Sequence, residues 1–322
     1  MIAIVEATRT SGFDSASLGA TCPHPEFAVW RLPWSVSSRG DLRLPLWKGS
    51  MLHGSLGWAL ADIAQAAPVP EWPGLAACSL AQTLCEPQLA WNSQRATAPW
   101  SLRCADPREV LRAGEPMPGE LLLYGEWPAW SIALLTEALQ EAGRRGLTAQ
   151  RVPVHIDVGL PEPAPWPMAP SNPTACTMTL RSPCRLKDRG GDCATLHPPA
   201  IVRSLLRRSH QLHQQLVGGE PPWTPRYEEL SHACDALYAV EDQSQPVELA
   251  RWSNRQERHV RMDALAGSIR LAGATLPLLA PWLAAAPLLH LGRQPTFGWG
   301  EVEVRFEGAC QNPSVEPVSR TP

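Results

Sequence analysis

Alternating apolar and polar positions predict short strands in the first half of the chain, separated by two helices. The segment 26–36 (EFAVWRLPWSV) alternates as a half-buried strand does, and so does 151–158. Leucine, isoleucine and alanine recur at helical spacing over 50–67, which predicts a helix that Pro68 ends. A second amphipathic helix is predicted over 130–143.

The second half repeats this outline. Strands are predicted over 175–180, 246–261 and 301–306, and helices over 199–217 and 275–286. Each half therefore has a β-α-β pattern with antiparallel returns. The predicted fold class is α+β, with two tandem ferredoxin-like (RRM-like) domains and a glycine-rich loop near the C-terminus.

Proline-rich and irregular segments suggest where the domains begin and end. Residues 161–173 are rich in proline, which favours a stiff, extended linker. The predicted organisation is a leader (1–25), an N-terminal domain (26–160) with a long insertion (68–118), the linker (161–173), a C-terminal domain (174–308) and a tail (309–322).

Composition narrows the functional classes. Of 322 residues, 44% are hydrophobic and 18% charged, with a net charge of -3, which excludes a uniformly basic polyanion binder but leaves room for a local basic groove. No apolar run reaches the roughly 18 residues of a membrane span. The first 20 residues do not resemble a secretory signal, and the nine cysteines are scattered, so reduced thiols and a cytoplasmic location are expected.

The segment 290–302 (HLGRQPTFGWGEV) carries the most specific pattern. Its glycines allow a phosphate backbone to approach the main chain, and consecutive amides in such a loop can form an anion nest. Arginine and threonine add phosphate contacts, and Phe297 or Trp299 could stack on a base. The alternative is a β-hairpin with turn glycines and a buried aromatic side chain.

The same segment fits the form G-[KR]-x-x-[TS]-F-G-x-G before a last strand, and so resembles the RAMP superfamily of CRISPR-associated proteins. The closest similarity is to the repeat-cleaving branch, the endoribonucleases that process precursor CRISPR RNA. Residues 52–60 (LHGSLGWAL) resemble the R-G-[AS]-[LF]-G-x-A-L run on that family's first helix. Further collinear similarities lie at 121–146, 182–186 and 250–267, within roughly 44–306.

The resemblance implies metal-independent cleavage without a cofactor. The 2′-hydroxyl beside the scissile phosphate attacks it, leaving a 2′,3′-cyclic phosphate and a 5′-hydroxyl, and the protein stays on the 3′ hairpin of the guide RNA. The implied partners are CRISPR repeat RNA and other CRISPR effector subunits; no metal and no membrane are expected.

The resemblance also suggests which residues act. Relatives often carry the catalytic histidine on the first helix, where this chain has His53, at the place of the arginine in many relatives. The position at which some relatives have histidine is Trp58. Lys48 and Arg31 are near enough in sequence to share a cleft with His53, and histidine suits proton transfer near neutral pH.

The expected RNA-binding residues are the glycine-rich loop and two basic stretches, which stand out in a chain of negative net charge. The alternative for the basic stretches is an ordinary solvated surface. The predicted set is Arg181, Arg185, Lys187, Arg189, Arg203, Arg207, Arg208, Arg251, Arg255, Arg258, Gly292, Arg293, Thr296, Phe297, Gly298 and Gly300.

Two other functions remain open at this point. One is a non-catalytic RAMP subunit that only binds guide RNA inside an effector complex. The other is a globular protein whose glycine-rich loop is only a hairpin and which has no affinity for RNA. A cleavage assay distinguishes the RNA-binding subunit from a nuclease. An RNA-binding assay distinguishes the protein without RNA affinity from both.

Overall fold

The computed structural model describes residues 27–66, 84, 96–148, 150–188, 190–253 and 258–308, without the side chains of 64–66 and 251–260. The predicted leader (1–25) and tail (309–322) lie outside the described residues.

Fifteen strands and five α-helices make up the described part of the chain. The strands are β1 (Val29–Ser37), β2 (Leu42–Arg43), β3 (Trp100–Arg103), β4 (Val110–Leu111), β5 (Met117–Tyr124), β6 (His155–Val158), β7 (Glu162–Pro163), β8 (Ala175–Leu180), β9 (Lys187–Asp188), β10 (Gly191–Asp192), β11 (Tyr238–Asp242), β12 (Gln245–Ser253), β13 (Arg258–Ala266), β14 (Ser268–Ala272) and β15 (Val302–Glu307). The helices are α1 (Gly49–Ala66), α2 (Ala129–Arg145), α3 (Pro198–Leu216), α4 (Tyr227–Asp235) and α5 (Leu276–Leu289).

The two main sheets are antiparallel and share one strand order. The N-terminal sheet runs β3-β5-β1-β6, with β7 also paired to β1, and the C-terminal sheet runs β11-β14-β8-β15. In each, the first strand of the domain lies beside the last and is followed by a helix. This is the ferredoxin-like arrangement, so the predicted fold class is confirmed.

In the N-terminal domain, the two faces of the sheet pack against different partners. Strand β1 alternates, so that Leu32 and Trp34 lie on one face and pack with Leu52 and Leu56 of α1. The other face, which includes Leu122, packs in the same core as α3 and α5. The helices of the C-terminal domain therefore cover the second face of the N-terminal sheet.

Helix α5 is apolar on nearly all sides because it lies in that shared core. It runs from Leu276 to Leu289 and contains Pro281 and Pro287. At its end, the Tyr124 hydroxyl donates a hydrogen bond to the Leu288 carbonyl at 2.6 Å. Tyr124 thus satisfies a C-terminal helix carbonyl and joins the two domains.

Three segments differ from the sequence-based expectations. The insertion predicted over 68–118 contains β3, which forms an edge of the N-terminal sheet, and β4. The linker predicted over 161–173 begins with β7, which pairs with β1. The strand predicted over 246–261 is divided between β12 and β13, which pair with each other. A single strand of that length would exceed the usual three to ten residues.

No helix in the described part of the chain is long and apolar enough to span a bilayer.

The start of α1 is in close contact with the glycine-rich segment of the other domain. A Cβ atom at Gly49 would come 1.8 Å from the Phe297 carbonyl oxygen, so only glycine fits there. At Gly54, on the same helix, a Cβ atom would meet nothing within 4 Å. The close approach of two backbones explains Gly49, whereas Gly54 faces open space.

These two glycines form a matched pair for a stability test. We expect Gly49→Ala to lower the free energy of unfolding by about 1–3 kcal/mol because the methyl group overlaps the Phe297 carbonyl. We expect Gly54→Ala to raise it by about 0.5–1 kcal/mol because alanine favours a helix interior. Urea unfolding at pH 7 measures both; equal effects of the two substitutions would contradict the contact.

Candidate functional site

The glycine-rich segment folds as a tight loop whose conformation needs its glycines. Gly292, Gly298 and Gly300 have φ values of 70°, 73° and 74°, in the left-handed region that favours glycine. A Cβ atom at Gly300 would also lie 1.9 Å from the Leu291 carbonyl oxygen. Both backbone conformation and packing therefore require glycine at position 300.

The amides of this loop are used inside the protein. The Gly300 amide donates to Pro183, the Arg293 amide to Arg185 and the Leu291 amide to Gly300, at 2.8–3.0 Å. The amides of Phe297 and Gly298 donate within the loop itself. The anion nest expected from the sequence is wrong for these amides. Trp299 is buried, which also removes it as a stacking surface for a base.

Two carbonyl groups of the loop face helix α1 and its approach. The indole N–H of Trp47 donates to the Phe297 carbonyl at 3.0 Å. The Nδ1 atom of His53 lies 3.2 Å from the Thr296 carbonyl oxygen. Because a carbonyl oxygen only accepts, this contact selects the form of His53 that carries a hydrogen on Nδ1. Nε2 is then the basic nitrogen of the neutral ring.

Aromatic rings hold the His53 side chain in a defined orientation. Its ring centroid is 4.1 Å from that of Phe297, with 25° between the ring planes, and 5.6 Å from that of Trp100, with 5° between the planes. Trp100 is itself buried and donates its indole N–H to the Leu84 carbonyl at 2.8 Å. His53 is therefore a half-buried histidine oriented by residues of both domains.

The structure does not bring the other two predicted catalytic residues to His53. Lys48 is fully buried, and its Nζ donates to the Leu46 carbonyl at 3.3 Å. Burial lowers the pKa of the Lys48 ammonium, and the Asp106 charge opposes this shift. Arg31 lies on the face of β1 opposite Leu32, and therefore away from α1. A shared cleft is thus not formed by these three side chains.

Most of the predicted basic stretch is paired with acidic groups. Arg181 lies 3.9 Å from Glu303, whereas Arg185 and Lys187 lie 2.8 and 3.8 Å from Asp192. Arg203 pairs with Asp188 and Asp235 at 3.1 and 2.6 Å. Arg207 and Arg293 are exposed. Arg189 and Arg255, and the side chains of Arg251 and Arg258, lie outside the described residues.

Arg208 lies in the interior between the domains. Its guanidinium carbon is 5.3 Å from the centre of the Tyr124 ring, and Nη1 donates to the Thr97 hydroxyl at 3.3 Å. Only 6% of Arg208 is exposed. The prediction that Arg208 binds RNA is therefore wrong for this conformation, because the helix turns this side chain toward the core.

Sequence reasoning missed a charged group at the domain contact. Glu301 is buried just before β15, and Arg103 of β3 lies 3.5 Å from it while also pairing with Glu120. Burial raises the pKa of Glu301, and the Arg103 charge opposes that shift. The sequence offered only a glutamate beside the glycine-rich loop, with no sign of its cross-domain partner.

The two main sheets differ in how far their faces are covered. The face of the N-terminal sheet that includes Leu122 is covered by helices of the C-terminal domain. The outer face of the C-terminal sheet carries ion pairs, including Arg270 with Glu307 and Arg305 with Glu303, both at 2.6 Å. The contact between α1 and the glycine-rich loop is therefore the candidate functional site.

Two family profiles match this chain, one for each domain. Residues 27–159 match an N-terminal domain profile, and residues 178–302 match the family described as CRISPR-associated endoribonuclease Cas6. These matches support membership of the Cas6 family of CRISPR-associated RAMP proteins. The resemblance seen in the sequence is thereby confirmed.

Solved structures share the fold at low sequence identity. A Cas6 product complex has a TM-score of 0.53 at 15% identity, covering 87% of this chain and 99% of that chain. Thermus thermophilus Cas6 has a TM-score of 0.51 at 13% identity, covering 87% and 98%. A partial Cas6-RT-Cas1–Cas2 complex has a TM-score of 0.55 at 10% identity, covering 89% and 47%. No curated protein sequence matches this chain significantly.

A second histidine, His290, is neutral and structural. Its Nδ1–H donates to the Trp299 carbonyl at 3.0 Å, and only 1% of the residue is exposed. Burial lowers the pKa of His290 to about 3; the Trp299 hydrogen bond opposes this shift, and the charges of Arg208 and Arg103 add to it. His290 is therefore not a proton-transfer group near neutral pH.

The lowered pKa of His290 predicts a pH dependence of stability. Between pH 6.5 and 3 the unfolded chain binds this proton and the folded chain does not, so stability falls as the pH falls below 6.5. From pH 7 to 5, His290 should account for a loss of about 2 kcal/mol. In His290→Asn, which keeps a donor for Trp299 and tolerates the positive φ, this part of the loss should disappear. Urea unfolding at both pH values tests this; an unchanged pH dependence would contradict it.

Proposed function

We propose that this Cas6-family chain is a metal-independent endoribonuclease that cuts the repeat of precursor CRISPR RNA. In the proposed reaction the 2′-hydroxyl attacks the adjacent phosphate, leaving a 2′,3′-cyclic phosphate and a 5′-hydroxyl. The protein then stays on the 3′ hairpin of the guide RNA. Support comes from the endoribonuclease family of residues 178–302 and from the position of His53.

The contact between His53 and the glycine-rich loop carries the proposal. With its Nδ1–H directed at the Thr296 carbonyl, His53 keeps one ring orientation and one tautomer. Nε2 then accepts the proton of the attacking 2′-hydroxyl, or, in the protonated ring, donates one to the leaving 5′-oxygen. A histidine that is oriented by residues of both domains suits a substrate that contacts both.

Phosphate binding is proposed for the exposed and half-buried basic residues of the C-terminal domain. Arg207 and Arg293 are exposed, and the exposed ion pairs of Arg181, Arg185 and Lys187 can be exchanged for phosphates. Such an exchange is inexpensive because exposed ion pairs contribute only about 0–1 kcal/mol. Lys48 and Arg31 are left out of the catalytic proposal because of their positions.

A second candidate is a RAMP subunit that binds guide RNA without cutting it. The observation that favours it is the stacking of His53 on Phe297 and Trp100, which also suits a purely structural histidine. Assembly with other CRISPR proteins, of the kind named for the Cas6-RT-Cas1–Cas2 complex, stays a prediction for this chain.

The proposed activity is tested with labelled repeat RNA in EDTA. We expect cleavage by the wild type, and no cleavage when a 2′-deoxy nucleotide precedes the scissile phosphate. His53→Ala should slow cleavage by about 10²- to 10⁴-fold, the usual contribution of a general acid or base. His155, an exposed histidine on β6, provides the control His155→Ala, which should cut at the wild-type rate.

Each outcome of the cleavage assay supports one of the candidate functions. Binding of repeat RNA without cleavage by the wild type would support the RNA-binding subunit instead. Cleavage by the wild type and equally fast cleavage by His53→Ala would keep the nuclease but contradict the role of His53. Cleavage that requires a divalent metal would contradict the proposed mechanism.

A further inference from the structure

A groove of about 920 Å³ lies beside the His53 site, on the outer side of α1. It is bounded by α1, the end of α2, the loop that follows α2, and β12. Its volume is at the upper end of the roughly 300–1,000 Å³ range of small-ligand sites, enough for one or two nucleotides. The residues that line it include Arg43, Trp47, Gly54, Trp58, Arg145 and Arg151.

Trp58 presents a large aromatic surface to this groove. It lies on α1 with 61% of its surface exposed, the largest exposed aromatic side chain among the described residues. Aromatic side chains that line a concave site together with a few polar groups are typical of ligand-binding sites. An indole face suits stacking of a nucleobase, which does not depend on base identity.

The charge of the groove suits a polyanion. Three arginines line it, and no lining residue in the described part of the chain is acidic. Arg145 is held by Glu141 and Asp62, whereas Arg43 and Arg151 are exposed. An apolar peptide segment would not explain three cations, whereas phosphates beside a stacked base do.

The backbone of Arg151 is held in an unusual conformation at the rim. Its φ is 52°, in the left-handed region that non-glycine residues rarely adopt. The backbone of Arg151 packs on Gly146, where a Cβ atom would come 2.3 Å from the Arg151 carbonyl carbon. This packing sets the position of Arg151 before any ligand arrives, which limits the entropy lost on binding.

The groove has open space at Gly54, and Trp47 connects its lining to the glycine-rich loop. Gly54 lies on the floor, and a Cβ atom there would meet nothing within 4 Å. Trp47 lines the groove and also donates its indole N–H to Phe297, the residue stacked on His53. Trp47 therefore places one edge of the groove next to the residues that orient His53.

We propose that this groove binds one or two unpaired nucleotides of RNA, with a base stacked on Trp58 and phosphates paired with Arg43 and Arg151. The proposal rests on the proposed function for the source of the RNA, because the groove would hold nucleotides next to the cut. Binding in the groove does not itself require cleavage.

A short probe isolates the groove from the rest of the repeat. The probe is a single-stranded RNA hexamer carrying the fluorescent base 2-aminopurine, whose emission falls when it stacks on an aromatic ring. The full-length wild type should bind it and quench it. Trp58→Ala should weaken binding by about 5- to 150-fold, the range measured for one base–aromatic stack, and Trp58→Phe should restore part of it.

The matched control is Tyr238→Ala on β11. Tyr238 is as exposed as Trp58, at 59% against 61%, but lies on the other domain, so its removal should leave probe affinity unchanged. Gly54→Met adds a second test, because the new side chain enters the groove one helical turn before Trp58 and takes up space that a stacked base would need. It should weaken binding while the unfolding midpoint stays at or above that of the wild type.

Salt dependence tests the phosphate contacts. Arg43→Gln should lower the slope of log affinity against log salt concentration by about 0.7, the value for one phosphate of a single strand. Arg305→Gln, on the exposed face of the C-terminal sheet, should leave the slope unchanged.

The outcomes separate this proposal from the proposed function. If Trp58→Ala and Gly54→Met bind the probe as the wild type does, the groove proposal is overturned, even where the wild type cuts repeat RNA. Tight probe binding that depends on Trp58, without any repeat cleavage, would keep the groove and overturn the nuclease. A wild type that neither binds the probe nor cuts repeat RNA would overturn both.

Discussion

The contact on which the site depends is the approach of the glycine-rich loop to the first turn of α1. Two carbonyl groups of the loop are offered to side chains of the other domain, and a missing Cβ at Gly49 lets the backbones come together. Burial of the loop's own amides fixes where those carbonyls point. The orientation of His53 is thus a result of how two domains pack, and not of its helix alone.

Much of the fold could be predicted because its elements are local. Periodicity placed α1 and α2 within two residues of their observed bounds, since an amphipathic stripe and a terminating proline are properties of one segment. Strand β3 was missed because it has only four residues and lies in a long stretch with little periodicity. The division of 246–261 into a hairpin depends on pairing, which a single segment does not reveal.

The site was harder to predict than the fold, because charge and burial depend on neighbours distant in sequence. Counting basic residues over 181–208 overstated the free positive charge, since Asp188 and Asp192 lie within the same stretch and pair with its arginines. Arg208 was counted as a surface residue although its helix turns it inward. Conversely, Arg43, Trp58 and Arg151 come from three separate segments, and only the folded chain brings them to one groove.

Tyr124 and the core around it have a consequence for how the chain can be divided. A hydroxyl of one domain completes a helix of the other, and Leu122 and Tyr124 share a core with α3 and α5. Cutting the chain at the proline-rich linker would expose apolar surface on both pieces. Despite the duplicated architecture, the helices of the second domain form the layer that covers one face of the first domain's sheet.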